Sequence, residues 1–193
     1  IGSRTLEKAD AAAKDLISVM NSRGVDDYQV EAMINLKAAN AADIAILTVP
    51  FDHHAGTLES VKGALSGKIL IDVTVPLVPP KVARVQLPKE GSAGEIAQAI
   101  LGDEVMVVSA FQNVAAHHLQ EGKGIQCDVL VSGNDKNARE KVIQLVEAAG
   151  MKGYHAGLIS NAAAAEAMTS VLINLNRQFK QHAGIKITGT GND

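Results

Sequence analysis

The stretch ADIAILTVPFDHH (residues 42–54) decides the fold. Within it, the run from Ile44 to Val49 is apolar apart from Thr48 and lacks the alternation of a half-exposed strand. Such a run predicts a strand that is buried on both faces, as in a parallel sheet. Pro50 has no amide hydrogen to donate to a neighbouring strand, so the strand is predicted to end there.

The residues after this strand predict a ligand site. Asp52 is predicted to cap a helix that begins near His53 and runs toward Leu65. Open α/β sheets bind ligands where a central parallel strand ends and a helix begins. We therefore expect a ligand beside four residues at this strand end: Thr48, Val49, Pro50 and Phe51. An ordinary buried strand would give the same pattern.

Composition narrows the class of protein. Hydrophobic residues make up 47% of the 193 residues and aromatic residues only 3%, which favours close packing of helices on a sheet. The net charge of −3, without a basic cluster, gives no indication of nucleic-acid binding. No segment reaches the roughly 18 apolar residues of a membrane span. Cys127 is the single cysteine, so an internal disulfide is excluded and a reducing, cytoplasmic location is expected.

Strand and helix patterns alternate along the chain. Strands are predicted at residues 1–4, 28–32, 44–49, 68–74, 105–111, 128–132 and 154–158, with an edge strand at 83–87. Helices are predicted at residues 5–20, 36–41, 53–65, 92–101, 136–149 and 161–182. This order predicts an α/β fold, a mostly parallel sheet with helices on both faces. Because two long helices dominate after Gly133, we expect a sheet domain over residues 1–133 and a small, mainly helical domain over 134–193.

Two other segments are candidates for a ligand site. Residues 75–89 contain several prolines and form a long predicted loop, and loops of this length are commonly functional or disordered. Gln112 and Asn113 place polar groups at the carboxyl end of a predicted buried strand. Both segments therefore lie where an open sheet presents its ligand-binding edge.

A phosphate site is predicted at the start of the sequence. In a dinucleotide-binding fold, the end of the second strand meets the adenine ribose, where an acidic residue selects NAD and Arg accommodates the NADP phosphate. Here that strand end reads Gly2-Ser3-Arg4, with Lys8 one turn into the next helix. A hydroxyl, a guanidinium and a helix amino terminus together favour phosphate. A solvated Arg and Lys at a helix start are the alternative.

Several motifs are missing or poorly matched. A GxGxxG turn would belong to the first strand and helix of such a fold, upstream of Ile1. The glycine-rich run at residues 189–193 has no helix after it and is interpreted as a frayed tail. The pairs His53-His54 and His117-His118 lack the i, i+4 spacing of metal ligands, and no Ser lies in a glycine-flanked elbow. We predict no metal site and no catalytic nucleophile.

Five segments occur in an order that is similar to one family. They are Gly2-Ser3-Arg4 with Lys8, residues 46–50, residues 76–79, residues 107–111, and residues 157–161 with Glu166. Together they resemble the F420-dependent NADP reductases, and the resemblance extends over nearly the whole chain. It implies a Rossmann-like domain, a small carboxyl-terminal domain, and the deazaflavin coenzyme F420 in the cleft between them.

The resemblance also implies residue roles. Ser3, Arg4 and Lys8 match the family's contacts with the NADP 2′-phosphate. Thr48, Val49 and Pro50 match the strand end beside the ribose and nicotinamide. The deazaflavin is expected beside two groups, Pro76, Leu77 and Val78 on one wall and Gln112, Asn113 and Val114 on another. The sequence departs from the family at Gln112, where relatives have His, and in the absence of the glycine loop.

The implied reaction needs few catalytic groups. Hydride transfer between NADP(H) and F420 mainly requires that the donor and acceptor carbons lie ~3–3.5 Å apart with water excluded. One rival hypothesis is an NADP-dependent reductase of an imine, a 2-keto acid or, through a flavin, ferric iron, with His117 or His118 as the acid–base residue. Another is a non-catalytic remnant that binds partners, because an absent central strand leaves unpaired sheet edges.

The last predicted helix indicates a homodimer. Apolar residues recur along it at steps of three and four, namely Ala165, Met168, Leu172, Leu175 and Phe179, with Ala164, Val171 and Ile173 off that stripe. A helix that is apolar on more than one side favours packing against its two-fold mate. The alternative is packing within the chain against Val142, Leu145 and Val146.

Overall fold

Short parallel strands alternate with helices in the structure, a computed structural model that describes residues 1–121 and 125–190. The strands are β1 (Gly2–Ser3), β2 (Met33–Ile34), β3 (Ile44–Leu47), β4 (Ile69–Asp72), β5 (Met106–Ser109), β6 (Asp128–Gly133) and β7 (Lys152–Gly157). The helices are α1 (Leu6–Ser22), α2 (Asn35–Ala41), α3 (Phe51–Val61), α4 (Ala93–Leu101), α5 (Ala116–Glu121), α6 (Lys136–Ala148) and α7 (Ala162–Phe179). Single 3₁₀ turns follow α3 at Lys62–Ala64 and precede α7 at Ile159–Asn161.

The strands form two sheets. β1 pairs with β2 in parallel, and the second sheet has the order β3-β4-β5-β6-β7. All neighbours in the larger sheet are parallel except β5 and β6. In the register, Leu47 lies opposite Asp72, and Asp72 lies opposite Ser109. The carboxyl ends of β3, β4 and β5 therefore reach the same level at one edge, where the sequence predicts the ligand.

A groove separates the two sheets. Among the described residues, no ladder hydrogen bonds join β1 to β3, and both strands line a groove of about 800 Å³ that includes solvent at its open face. Ile46 of β3 is 56% exposed there. Numbered as in a dinucleotide-binding sheet, β2-β1 and β3-β4-β5 match strands 3-2 and 4-5-6 of the order 3-2-1-4-5-6. The groove thus lies between the positions of strands 2 and 4.

The core has one layer on each face of the larger sheet. On one face, Leu70 and Val107 pack against α3 and α4 through residues such as Leu58 and Ala97. On the other face, Ile71 and Val108 pack with Val142 and other residues of α6. Alternate residues of β4 and β5 thus enter different layers, which confirms the prediction of a parallel sheet with helices on both faces.

Several local predictions were wrong. α3 begins at Phe51 with Pro50 in the cap position, so Asp52 lies in the first turn instead of capping the helix. Proline's fixed φ suits the start of a helix, which explains the earlier boundary. The strand expected at 28–32 is instead β2 at residues 33–34, the edge strand expected at 83–87 is irregular, and α5 was not predicted.

Both ends of α7 also differ in detail from the prediction. Asn161 occupies the cap position without a side-chain cap bond, and its amide instead donates to the Ala156 carbonyl. The helix ends at Phe179, because Lys180 takes a left-handed conformation with φ 52° and ψ 40°. Residues 191–193 of the predicted tail lie outside the described residues.

Candidate functional site

The cationic site predicted from the sequence lies where β1 leads into α1. Thr5 Oγ1 accepts a hydrogen bond from the Lys8 amide at 3.4 Å and so caps the helix. The side chains of Arg4 and Lys8 are exposed, and within the described chain neither has a hydrogen-bond or ion-pair partner. Ser3 is half-buried beside them. Two such cations next to a helix amino terminus have the chemistry that favours an anion.

The groove between the two sheets reaches the end of β3. Thr48 and Val49 line it together with Gly2. A Cβ on Gly2 would lie 3.0 Å from the Ala38 Cβ, so only glycine allows α2 to pack this closely on β1. Of the residues that the sequence assigns to the nucleotide, Thr48 and Val49 line the groove, whereas Ser3, Arg4 and Lys8 follow Gly2 outside its lining. Phe51, half-buried, opens α3 at the same end.

The loop after β4 contains the first group of residues predicted to contact the deazaflavin. The Thr74 amide donates to Asp72 Oδ1 at 2.9 Å, which turns the chain at the strand end. Two residues after Thr74, Pro76 is buried, Leu77 is half-buried and Val78 is exposed. The start of this loop is therefore fixed to the sheet, whereas the residues predicted to face the deazaflavin become progressively more accessible.

The second predicted deazaflavin group follows β5 and consists of Gln112, Asn113 and Val114. The Gln112 amide group donates to the Asp72 carbonyl and to Ser109 Oγ, both at 2.8 Å. Asn113 donates to the Ala165 carbonyl at 2.8 Å and to Thr169 Oγ1 at 3.1 Å. This turn is therefore held between the central sheet and α7.

A buried pair at the strand ends was not predicted from the sequence. His54 Nε2 lies 2.6 Å from Asp72 Oδ2, and each side chain is 1% exposed. Sequence reasoning missed it because Asp72 interrupts an apolar strand whose other residues gave no reason to expect a carboxylate partner 18 residues earlier. The signal that could have found it is the acidic residue itself, since a buried carboxylate needs a partner.

Glu166 is another buried carboxylate whose role the sequence did not reveal. Its oxygens accept hydrogen bonds from the Ala93 and Gly94 amides at 2.7 and 3.1 Å, at the first turn of α4. Burial raises the pKa of Glu166 to about 7, although those two amides act in the opposite direction. The residue ties α7 to α4 and completes the hydrogen bonding of a helix start that is buried.

The histidine pairs do not converge. His54 is buried on α3 while His53 is exposed. The rings of His117 and His118 lie near that of His182, with centroids 5.1–6.3 Å apart. Across residues 1–121 and 125–190, no group of three or more His, Cys, Asp and Glu residues is arranged to hold a metal ion.

The structure thus collects the predicted positions at one edge of the sheet. Register places the ends of β3, β4 and β5 side by side, and Gln112 is bonded directly to the end of β4. Arg4 lies two residues after Gly2, which lines the groove.

None of the described helices is long and apolar enough to cross a membrane.

This topology and the cationic site at a strand end define a Rossmann-like nucleotide-binding protein. The family model described as NADP oxidoreductase, coenzyme F420-dependent, matches residues 1–76. The F420-dependent NADP reductase of Methanocaldococcus jannaschii is 37% identical over 194 residues, covering 97% of this chain and 86% of that protein. The reductase of the same name from Methanothermobacter marburgensis is also 37% identical, over 97% of this chain and 86% of its own length.

Solved structures show the same fold. A protein from Arthrobacter sp. FB24, provisionally described as an F420-dependent NADP reductase, superposes with a TM-score of 0.69 at 24% identity, covering 81% of this chain and 74% of its own. A hypothetical protein from Sinorhizobium meliloti gives a TM-score of 0.60, over 78% and 72% of the two chains. The level of identity to the two methanogen enzymes shows that this chain belongs to the F420-dependent NADP reductase family.

Proposed function

We propose that the chain catalyses hydride transfer between NADP(H) and the deazaflavin coenzyme F420. The observation that supports this function most strongly is the 37% identity to F420-dependent NADP reductases over 97% of the chain. Reduction of the deazaflavin by NADPH consumes one hydride from the nucleotide and one proton, and leaves NADP⁺. The protein contributes binding, alignment of the two rings and exclusion of water.

Ser3, Arg4 and Lys8 are proposed to bind the 2′-phosphate of NADP(H). In support, two exposed cations without partners flank the capped start of α1, where aligned amide groups favour an anion. Arg suits this role because its planar guanidinium can donate two parallel hydrogen bonds to a phosphate. The nucleotide would then extend past the carboxyl ends of the strands toward Thr48, Val49 and Pro50.

The deazaflavin is proposed to contact Pro76, Leu77 and Val78 on one side and Gln112, Asn113 and Val114 on the other. The exposed and half-buried apolar groups of the first loop suit a flat, conjugated ring. The Gln112 side chain donates both amide hydrogens within the protein, which leaves its Oε1 without a partner. That oxygen is buried, so the proposed contact of Gln112 with the deazaflavin does not rest on it.

Arg4→Ala tests the nucleotide site. We expect NADPH binding to weaken by about 1.5–3 kcal/mol, the range for a hydrogen bond to a charged group, with NADH binding nearly unchanged. Isothermal titration of each nucleotide measures the two affinities. Lys14→Ala is the matched control, because Lys14 is an exposed cation further along α1. Equal losses for NADPH and NADH would rule out a role of Arg4 at the phosphate.

A panel of acceptors distinguishes this function from its rivals. NADPH is incubated with the protein and, separately, with F420, an imine, a 2-keto acid and a flavin with ferric iron. Oxidation of NADPH only by F420 is the expected result. Turnover of an imine or a keto acid without turnover of F420 would support a different reductase, and no NADPH binding at all would support the non-catalytic remnant.

A cytoplasmic homodimer with two domains, 1–133 and 134–193, completes the proposal. Cys127 is a buried free thiol, consistent with a reducing compartment. α7 packs against α4 rather than α6, so its partners in the chain are not Val142, Leu145 and Val146. Leu172 is buried, but Met168, Val171 and Phe179 are 41%, 44% and 62% exposed. These three exposed residues are the proposed dimer contact; Met168 and Phe179 belong to the predicted stripe, and Val171 lies off it.

Met168→Glu tests the dimer. A buried charge without a partner is costly at an interface, so the variant is expected to be monomeric at micromolar concentration while the wild type is a dimer. Sedimentation equilibrium measures the mass of each. Glu147→Gln, an exposed change on α6, is the control. A monomeric wild type would contradict the proposed contact.

A further inference from the structure

The buried pair formed by His54 and Asp72 has no role in the function proposed so far. His54 projects from the second turn of α3, and Asp72 is the last residue of β4. Their 2.6 Å contact joins two side chains that are each 99% inaccessible to solvent. A polar pair at this depth has a desolvation cost, so its position at the ligand edge of the sheet calls for an explanation.

The pair contacts residues beside each of the three segments proposed to bind ligands, which follow β3, β4 and β5. The His54 ring stacks on Phe51 with centroids 6.0 Å apart and an angle of 28° between the planes. Asp72 Oδ1 accepts the Thr74 amide, which starts the loop toward Pro76. The Asp72 carbonyl accepts from Gln112 Nε2. One pair of residues therefore links the ends of β3, β4 and β5.

Hydrogen-bonding capacity remains unused around this pair. Within the described part of the chain, His54 Nδ1, Thr74 Oγ1 and Gln112 Oε1 are buried and have no hydrogen-bond partner. All three belong to residues that are bonded directly to Asp72. Buried polar atoms without partners are uncommon in proteins and are frequently found at functional sites.

We propose that His54 is a positioning residue for hydride transfer. With the Asp72 carboxylate as acceptor, His54 Nε2–H fixes the Asp72 side chain, whose Oδ1 in turn holds the Thr74 amide. Gln112 is held by the backbone carbonyl of the same residue. The orientation of Thr74 and Gln112 is thereby set before a ligand binds. This inference rests on the proposed reaction with F420, since alignment of two rings is what that reaction requires.

His54→Gln and His54→Ala separate the hydrogen bond from the imidazole itself. The Gln side chain can place an amide N–H near the position of His54 Nε2, whereas Ala removes the donor and leaves Asp72 without its partner. We expect kcat with NADPH and F420 to fall up to about 100-fold in His54→Ala and only a few-fold in His54→Gln, because a small misplacement of reacting groups is costly. His53→Gln is the control, an exposed neighbour on the same helix.

Binding and stability measurements accompany the kinetics. Fluorescence titration is expected to show weaker F420 binding in His54→Ala and a smaller loss of NADPH affinity, because Arg4 and Lys8, the proposed phosphate contacts, lie at the start of α1, away from His54. Thermal unfolding shows whether each variant is folded. Should His54→Ala fail to fold, Asp72→Asn replaces it, with the same expected split between kcat and the NADPH affinity.

The outcomes distinguish this inference from the function on which it rests. A wild type that does not turn over F420 would remove the proposed reaction and with it the role of His54. A wild type that is active, with a folded His54→Ala of normal kcat and normal F420 affinity, would overturn the positioning role alone. Equal losses in His54→Ala and His54→Gln would show that the imidazole acts in some way other than holding Asp72.

Discussion

Glu166→Gln should change how stability depends on pH. Glu166 is 1% exposed, and burial raises its pKa from 4.5 to about 7. Between these two pH values the folded protein holds the proton more firmly than the unfolded chain does. The free energy of unfolding contributed by this group is therefore highest below pH 4.5 and decreases as the pH rises toward 7.

The size of this effect follows from the shift. A pKa difference of about 2.5 units, at about 1.4 kcal/mol per unit, corresponds to about 3 kcal/mol lost across the window. In Glu166→Gln the side chain is neutral at every pH, so the variant lacks this decrease. The two amides of Ala93 and Gly94 favour the carboxylate and limit the shift, but burial is the larger cause.

Urea unfolding at pH steps from 5 to 8 measures the difference between wild type and variant. Taking the difference cancels the titration of all other groups. We expect the wild type to lose stability relative to Glu166→Gln as the pH rises through this range. Glu147→Gln, an exposed change on α6, should track the wild type. A wild type whose free energy of unfolding stays constant or rises relative to that of Glu166→Gln as the pH increases would refute the reasoning. It would mean that burial does not outweigh the two amides.

Two further changes test the packing around the site. Gly94→Val would bring a Cβ within 3.0 Å of Ile159 Cδ1 and 3.3 Å of the Ala162 Cβ, so it should lower the free energy of unfolding by about 1–3 kcal/mol in urea titration. Gln112→Ala removes the donor to the buried Ser109 hydroxyl and one of two donors to the Asp72 carbonyl, which keeps the Ala110 amide. We therefore expect a loss of about 1–3 kcal/mol and a raised KM for F420 with that for NADPH unchanged. Wild-type stability in the first variant, or equal changes in both KM values in the second, would contradict these interpretations.

The sequence predicted most of the sheet because buried parallel strands have an unambiguous composition. The strand at 69–72 is buried throughout, as its aliphatic run predicts. The strand at 44–47 was predicted to be central and buried on both faces, and this was wrong for the described residues: β3 is the first strand of the five-stranded sheet, and Ile46 is 56% exposed. Capping residues located α1 and α4, since Thr5 and Ser92 each accept the amide three residues later. These signals are local, and local signals can be identified from one sequence.

Contacts between distant residues could not be predicted in the same way. The pairs His54–Asp72 and Glu166–Ala93 join residues 18 and 73 positions apart. Nothing in the sequence indicates such partners until the strands are set side by side. The two-residue strand at Met33–Ile34 was misplaced for a related reason, because a strand this short is defined by its pairing with β1 rather than by its composition.

Transfer of deuterium from NADPH to F420 tests the central claim most directly. NADPH with deuterium at both hydrogen positions of the nicotinamide C4 is mixed with F420 and the protein. The reduced deazaflavin is then analysed by mass spectrometry. Direct hydride transfer predicts that the label appears in the reduced deazaflavin without dilution by solvent hydrogen. Reduced F420 without the label, or NADPH that binds but is never oxidised by F420, would contradict the account.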